Sequence, residues 1–97
     1  MKFIQIIEYT TTKPDEVQAA LDEFLAATGG TRPNIWARVT TDRERPNVYL
    51  NIVEFPSYEV AMKNSDAPET KALSEKMMKL TDGPPTFRNL DVTFEEG

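Results

Sequence analysis

The chain has 97 residues, which suits one domain and leaves little for a second core. It contains neither cysteine nor histidine, so disulfides, the common zinc sites, His- or Cys-ligated haem, and Ser-His or Cys-His nucleophilic dyads are excluded. With 16 acidic against 11 basic residues the formal charge is −5, and a local basic patch (Arg38, Arg43, Arg45) is offset by Asp42 and Glu44, so nucleic-acid binding is not expected.

No apolar run approaches the ~20 residues of a membrane span. The opening MKFIQIIEYT alternates and lacks the long apolar region and small-residue cleavage site of a signal peptide. Cytosolic residence without membrane contact is the expectation. A carboxylate-only Mg²⁺ or Ca²⁺ site stays open, but neither an EF-hand loop nor a comparable acidic cluster is present, so no metal is expected.

Lys2–Thr10 alternates and is rich in isoleucine and aromatics, predicting a first strand. Thr12 offers a helix N-cap, with Pro14 in the first turn and Asp15 as a weak capping-box partner. Val17, Ala20, Leu21, Phe24, Leu25 and Thr28 then form an apolar stripe at helical spacing, and Gly29-Gly30 permits a left-handed cap. Ile35–Thr41 and Asn47–Phe55 predict the next strands, joined through the polar Asp42–Pro46 segment as a hairpin. Ser57 caps a short helix from Tyr58 to Lys63, which Asn64-Ser65-Asp66 interrupts. Pro68 opens a longer helix to Leu80, with Leu73, Met77 and Leu80 on one face. Asp82-Gly83-Pro84-Pro85 breaks the chain, Phe87–Phe94 alternates as the last strand, and Glu95-Glu96-Gly97 reads as a frayed tail. Residues 1–97 thus form one α+β domain with the βαββαβ order of a ferredoxin-like antiparallel sheet, helices on one face.

Strand parity sorts side chains by face. One set is almost wholly aliphatic: Ile4 and Ile6; Ile35, Ala37 and Val39; Val48, Leu50 and Ile52; Leu90, Val92 and Phe94. It is expected beneath the helices. The opposite set mixes aromatics with hydrogen-bonding groups: Phe3, Gln5, Ile7 and Tyr9; Trp36, Arg38 and Thr40; Tyr49, Asn51, Val53 and Phe55; Phe87, Asn89, Asp91 and Thr93. Exposed on a monomer, this face would exceed the apolar patch such chains tolerate, so a second copy packed sheet to sheet is expected to cover it. The enclosed space would have the aromatic lining and few directed polar groups of a small-molecule pocket. A one-residue slip of register would exchange the faces.

The segments VEFPSYEVAMKNSDAPET (Val53–Thr70) and GPPTFRNLDV (Gly83–Val92) resemble the third-strand-to-helix junction and the final strand of small proteins in the dimeric α+β barrel superfamily. Within it they are similar to the antibiotic biosynthesis monooxygenase-like proteins. The resemblance implies a homodimer whose two sheets form a barrel. It also implies a cofactor-independent oxygenase acting on an electron-rich polycyclic phenol, with aromatic and amide side chains holding the substrate and polarising its carbonyl as the anion forms. Trp36, Asn51, Gln5 and Arg38 are the residue types that would serve here. Haem-degrading relatives use a histidine ligand, which this chain lacks.

Each candidate has a plainer reading. Trp36 either stacks on an aromatic ligand or fills a dimer core. Arg38 either binds a carboxylate or enolate oxygen or pairs with Asp91. Asn51 and Gln5 either orient a carbonyl as oxyanion-type donors or satisfy backbone groups across an interface. Tyr9 and Tyr49 are candidate proton donors, though an ordinary phenol ionises near pH 10 and is a poor acid–base group at neutrality. Asp91, buried among Phe87, Trp36 and Phe3, would be a candidate base; paired with Arg38 it would be structural. Asn64, Ser65 and Asp66 read as a helix-capping break, and Met77-Met78 as core filler. The predicted ligand site lies over Trp36, Tyr49 and Asn51. Two functions stay open: a cofactor-independent monooxygenase of an aromatic or polyketide-like compound, and a non-catalytic ligand-binding or regulatory dimer.

Overall fold

The computed structural model describes residues 1–30 and 32–96. Its elements run β1 (Phe3–Thr10), α1 (Pro14–Thr28), β2 (Trp36–Thr41), β3 (Val48–Phe55), α2 (Tyr58–Asp66), α3 (Pro68–Leu80) and β4 (Thr86–Asp91). The strands form one sheet in the order β2-β3-β1-β4, every neighbouring pair antiparallel. This is the expected α+β, ferredoxin-like arrangement, with its second helix in two pieces. Among the described residues no helix is long and apolar enough to cross a membrane.

Local chemistry explains the elements and their departures from expectation. In α1, Pro14 sits in the first turn with Asp15 and Glu16 beside it, where fixed φ and negative charge both favour a helix start. The cap is Lys13 rather than Thr12. Thr11 does the work expected of Thr12: its Oγ1 accepts the Lys13 N–H at 3.0 Å and donates to the Leu80 carbonyl at 2.6 Å, tying the start of α1 to the end of α3. Gly29 closes α1 at φ 53°, donating its N–H to the Leu25 carbonyl. α2 begins as expected, the Ser57 hydroxyl accepting the Val60 N–H. It then continues through Asn64 and Ser65 and breaks only at Ala67, which is extended (φ −64°, ψ 141°) because the Pro68 ring excludes helical geometry from the residue before it. The last strand ends at Asp91. Val92 still donates its N–H to the Lys2 carbonyl, and Glu95 pairs with Lys2 at 2.9 Å, while Gly97 lies outside the described residues.

The dry core is small and sits at one end of the sheet. Phe3, Val53 and Phe55 pack on Ala61 of α2, with Val60 and Met62 around them and Tyr58 edge-on to Phe3 at 5.3 Å. At the opposite end Tyr9, Val17 and Ala20 are buried. Between the two ends the helices stand off the sheet.

Two expectations about the faces are corrected by the register. β1, β3 and β4 sort as their parity predicts, but β2 is exchanged. Ala37 and Val39 lie opposite Val53 and Asn51, whereas Trp36, Arg38 and Thr40 lie opposite Glu54, Ile52 and Leu50 on the other face. The helices also cover the mixed face rather than the aliphatic one: Phe3, Tyr9, Val53 and Phe55 are the buried strand residues there. The mixed face is therefore closed by its own helices and is not open to a partner's sheet. Alternation within a strand carries no information about its neighbour. The register of β2 on β3 is set by the Asp42–Asn47 turn, where Asn47 takes φ 65°, Asp42 Oδ1 accepts the Glu44 N–H, and Asp42 Oδ2 pairs with Arg45 at 2.8 Å.

Candidate functional site

The gap between helices and mixed face is an open cavity of about 370 Å³, within the range of small-molecule sites. Strand residues Gln5, Ile7, Tyr9, Asn51, Val53 and Phe87 form its floor. Leu21, Phe24 and Leu25 of α1, Asn64 and Ser65 of α2, and Leu73 and Met77 of α3 form its walls. A smaller space of about 250 Å³ adjoins it, bounded by Tyr9, Tyr49, Val17 and Gln18.

Polar groups on the floor are held in fixed orientations. Tyr9, only 4% exposed, donates its hydroxyl proton to Asn51 Oδ1 at 3.1 Å and stacks on Tyr49 with ring centroids 5.8 Å apart. Pinned through its oxygen, the Asn51 amide leaves Nδ2 as a donor with no acceptor among the described residues. Gln5 is anchored similarly, its Nε2 donating to Asn89 Oδ1 at 3.2 Å. The Tyr9 phenol is pushed above its ordinary value, burial being the largest cause, the Asn51 bond opposing it and Tyr49 adding to it. It is therefore a neutral donor at physiological pH, not a base.

The candidate residues divide clearly. Gln5, Tyr9, Asn51 and Phe87 line the cavity, Tyr49 backs Tyr9 in the adjoining space, and Arg38 borders the cavity while its guanidinium lies on the other face. Trp36 does not line it. Its ring lies on the opposite face beneath the Arg38 guanidinium, 5.0 Å from the centroid. Asp91 is exposed rather than buried among aromatics, and it cannot meet Arg38. β4 and β2 are the two edges of the sheet, three strand spacings apart, or about 14 Å. Among the described residues no group of three or more Asp or Glu side chains converges as a metal site would require.

Two wall residues, Asn64 and Ser65, were expected to form a helix-capping break, and a third, Arg32, was not singled out from sequence. Asn64 and Ser65 reach the cavity because they follow buried Ala61 at i+3 and i+4 on one helical face, a spacing that was available as a signal. Arg32 comes from the α1–β2 connection. Its guanidinium lies 4.9 Å from the Phe24 ring centroid, and its Nε is buried without a hydrogen-bond partner. Nothing in its sequence neighbourhood announces this.

No protein-family model matches the chain, and no curated protein matches it in sequence. Solved structures do match, over nearly the whole length. A candidate antibiotic biosynthesis monooxygenase of Caulobacter crescentus superposes with a TM-score of 0.84 at 16% identity, covering 96% of this chain and 91% of that one. SnoaB, a cofactor-independent oxygenase of Streptomyces nogalater, gives 0.80 at 14% identity, covering 97% and 95%. The fold is that of the antibiotic biosynthesis monooxygenase-like proteins. A further candidate monooxygenase, from Nitrosomonas europaea, shares this fold at 0.82 with 8% identity, covering 99% of this chain and 94% of that one. At such identities the agreement is one of architecture alone.

Proposed function

We propose that this chain is a cytosolic, small-molecule-binding homodimer that oxygenates an electron-rich polycyclic phenol or polyketide-like aromatic without a cofactor. The observation that carries the reading is the Tyr9–Asn51 pair on the floor of an apolar cavity. Tyr9 holds the amide oxygen, so the amide N–H points at a bound ligand's carbonyl oxygen, the atom that gathers negative charge when the substrate ionises. Apolar walls hold the ring system and keep it from water. The ionised substrate then supplies the electrons itself. A ring methylene plus O₂ becomes a carbonyl plus water, one oxygen atom going to each product.

The homodimer is proposed on the face opposite the cavity. Ile4, Ile6, Leu50, Ile52, Leu90 and Trp36 share that side of the sheet, and the described helices lie on the other side, over the cavity. Leu90 is 44% exposed and Phe94 beyond it 79%, an apolar surface that a second sheet would cover.

Oxygen uptake on a panel of anthrones and quinols, with no flavin or metal added, tests the proposal. About one O₂ should be consumed per anthrone oxidised. One observation favours the second reading, a non-catalytic binder. None of the described lining residues is a carboxylate and Tyr9 keeps its proton, so ionisation falls to the substrate's own acidity. Tight binding of these compounds with no oxygen consumed would establish that reading and refute the oxygenase.

A further inference from the structure

Arg32 is unused by the chemistry above, and its setting is unusual. Its Nε is buried with no partner, its guanidinium lies over Phe24, and none of the ion pairs among the described residues includes it. Arginine does not shed its proton in proteins, so an unpaired, half-buried guanidinium carries a desolvation cost that an arriving anion would relieve. Burial lowers its proton affinity, which agrees with the absence of a compensating acid nearby.

The charge of the wall points the same way. The chain as a whole carries −5, with acids outnumbering bases. Yet the charged side chains described around the cavity are Arg32 and Lys71, with neither an aspartate nor a glutamate among the lining residues; Arg38 borders the cavity, but its guanidinium lies over Trp36 on the other face. The local sign is opposite to that of the molecule. Lys71 is exposed, and Arg32 is set deeper. An exposed cation draws an anion toward a cleft, and a partly desolvated one holds it.

Position matters too. α1 begins beside the Tyr9 end of the sheet and delivers the chain to Trp36, opposite Glu54 at the other end. Arg32 therefore stands toward the far end of the cavity from the Tyr9–Tyr49 stack.

We propose that the ligand is an aromatic acid, its carboxylate paired with the terminal N–H groups of Arg32, its rings filling the apolar cavity toward Asn51. This rests on the aromatic-ligand reading given under the proposed function and adds to it a permanent negative charge, separate from the oxygen that Asn51 addresses. The planar guanidinium suits the assignment, because its two terminal nitrogens present parallel N–H donors to a carboxylate.

Anthraquinone-2-carboxylate and its carboxamide form a probe pair that differs in this charge alone, with binding measured by calorimetry. The acid should bind the parent protein about 10- to 100-fold more tightly than the amide, as expected for a charged, partly desolvated hydrogen bond. In Arg32→Met the preference should collapse to near unity, while amide affinity holds. This variant keeps contact with Phe24 and discards an unpaired charge, so it should melt no lower than the parent. In Arg32→Lys part of the preference should return. Equal binding of acid and amide to the parent, or a preference that survives Arg32→Met, overturns the acid assignment and leaves the aromatic cavity standing. Failure of both compounds to bind overturns both.

Discussion

Tyr9→Phe removes a single oxygen from the cavity floor. The ring is 4% exposed and stacked on Tyr49 at an interplanar angle of 17°, so its burial and stacking survive the change. What is lost is the 3.1 Å bond to Asn51 Oδ1. A neutral hydrogen bond contributes about 0.5–1.5 kcal/mol net, and Asn51 borders an open cavity where water can replace the hydroxyl, so the lower half of that range applies. For a domain of this size, about 0.5–1 kcal/mol lowers Tm by roughly 2–8 °C, readable by calorimetry. The functional effect should be larger. Once released, the amide can turn its oxygen toward the ligand, and we expect anthrone oxidation to fall about tenfold, near 1.4 kcal/mol of barrier. Asn51→Ala, which deletes the donor, should cost about 10²–10³-fold, as for an oxyanion-hole amide. Alkaline pH supplies an independent check. Burial raises the Tyr9 value, so between the ordinary phenol range and that raised value the unfolded chain has lost a proton that the folded chain keeps. Stability is whole below pH ~10 and falls as pH rises from there through the folded value; Tyr9→Phe should soften that decline. Unchanged turnover in Tyr9→Phe beside a severe defect in Asn51→Ala would show that something other than Tyr9 orients the amide, and the account of the floor would fail.

Two further changes probe the assembly and the dry core. Ile52 lies opposite Ile6 and Arg38 at the centre of the outer face, so Ile52→Glu should shift light scattering from twice the 11.0 kDa chain mass to the monomer without loss of secondary structure. A parent protein that is already monomeric would remove the dimer. Phe55 is 2% exposed between Phe3 and Ala61, and Phe55→Ala should destabilise by about 3–5 kcal/mol in urea titration, since little around it can collapse into the space. A loss under ~1 kcal/mol would mean that this end of the sheet is not a packed core.

Much of the fold is determined by local pattern. The stripe from Val17 to Phe24 and the cap at Gly29 specify α1, and Ser57 and Pro68 start α2 and α3, because capping and helical periodicity act within a few residues. Alternation within β1, β3 and β4 also separates the aliphatic from the mixed side chains correctly, and the mixed composition of one set signals a cavity. Where that cavity lies is decided by the tertiary structure. A helix-covered face was expected to be dry, but α1 and α3 stand off the strands, so Gln5, Asn51 and Tyr9 occupy a hollow beneath the helices while the aliphatic set is left outside. Trp36 and Arg38 depend on how β2 is set against β3, which the turn at Asn47 decides and which period-two alternation cannot encode. Arg38 and Asp91, a plausible pair by charge, end on opposite edges of the sheet because strand order is a property of the whole chain. Arg32, Phe24 and Lys71 meet at one cavity only because a loop, a helix on either side and a sheet are folded together, a convergence of distant residues that no local spacing records.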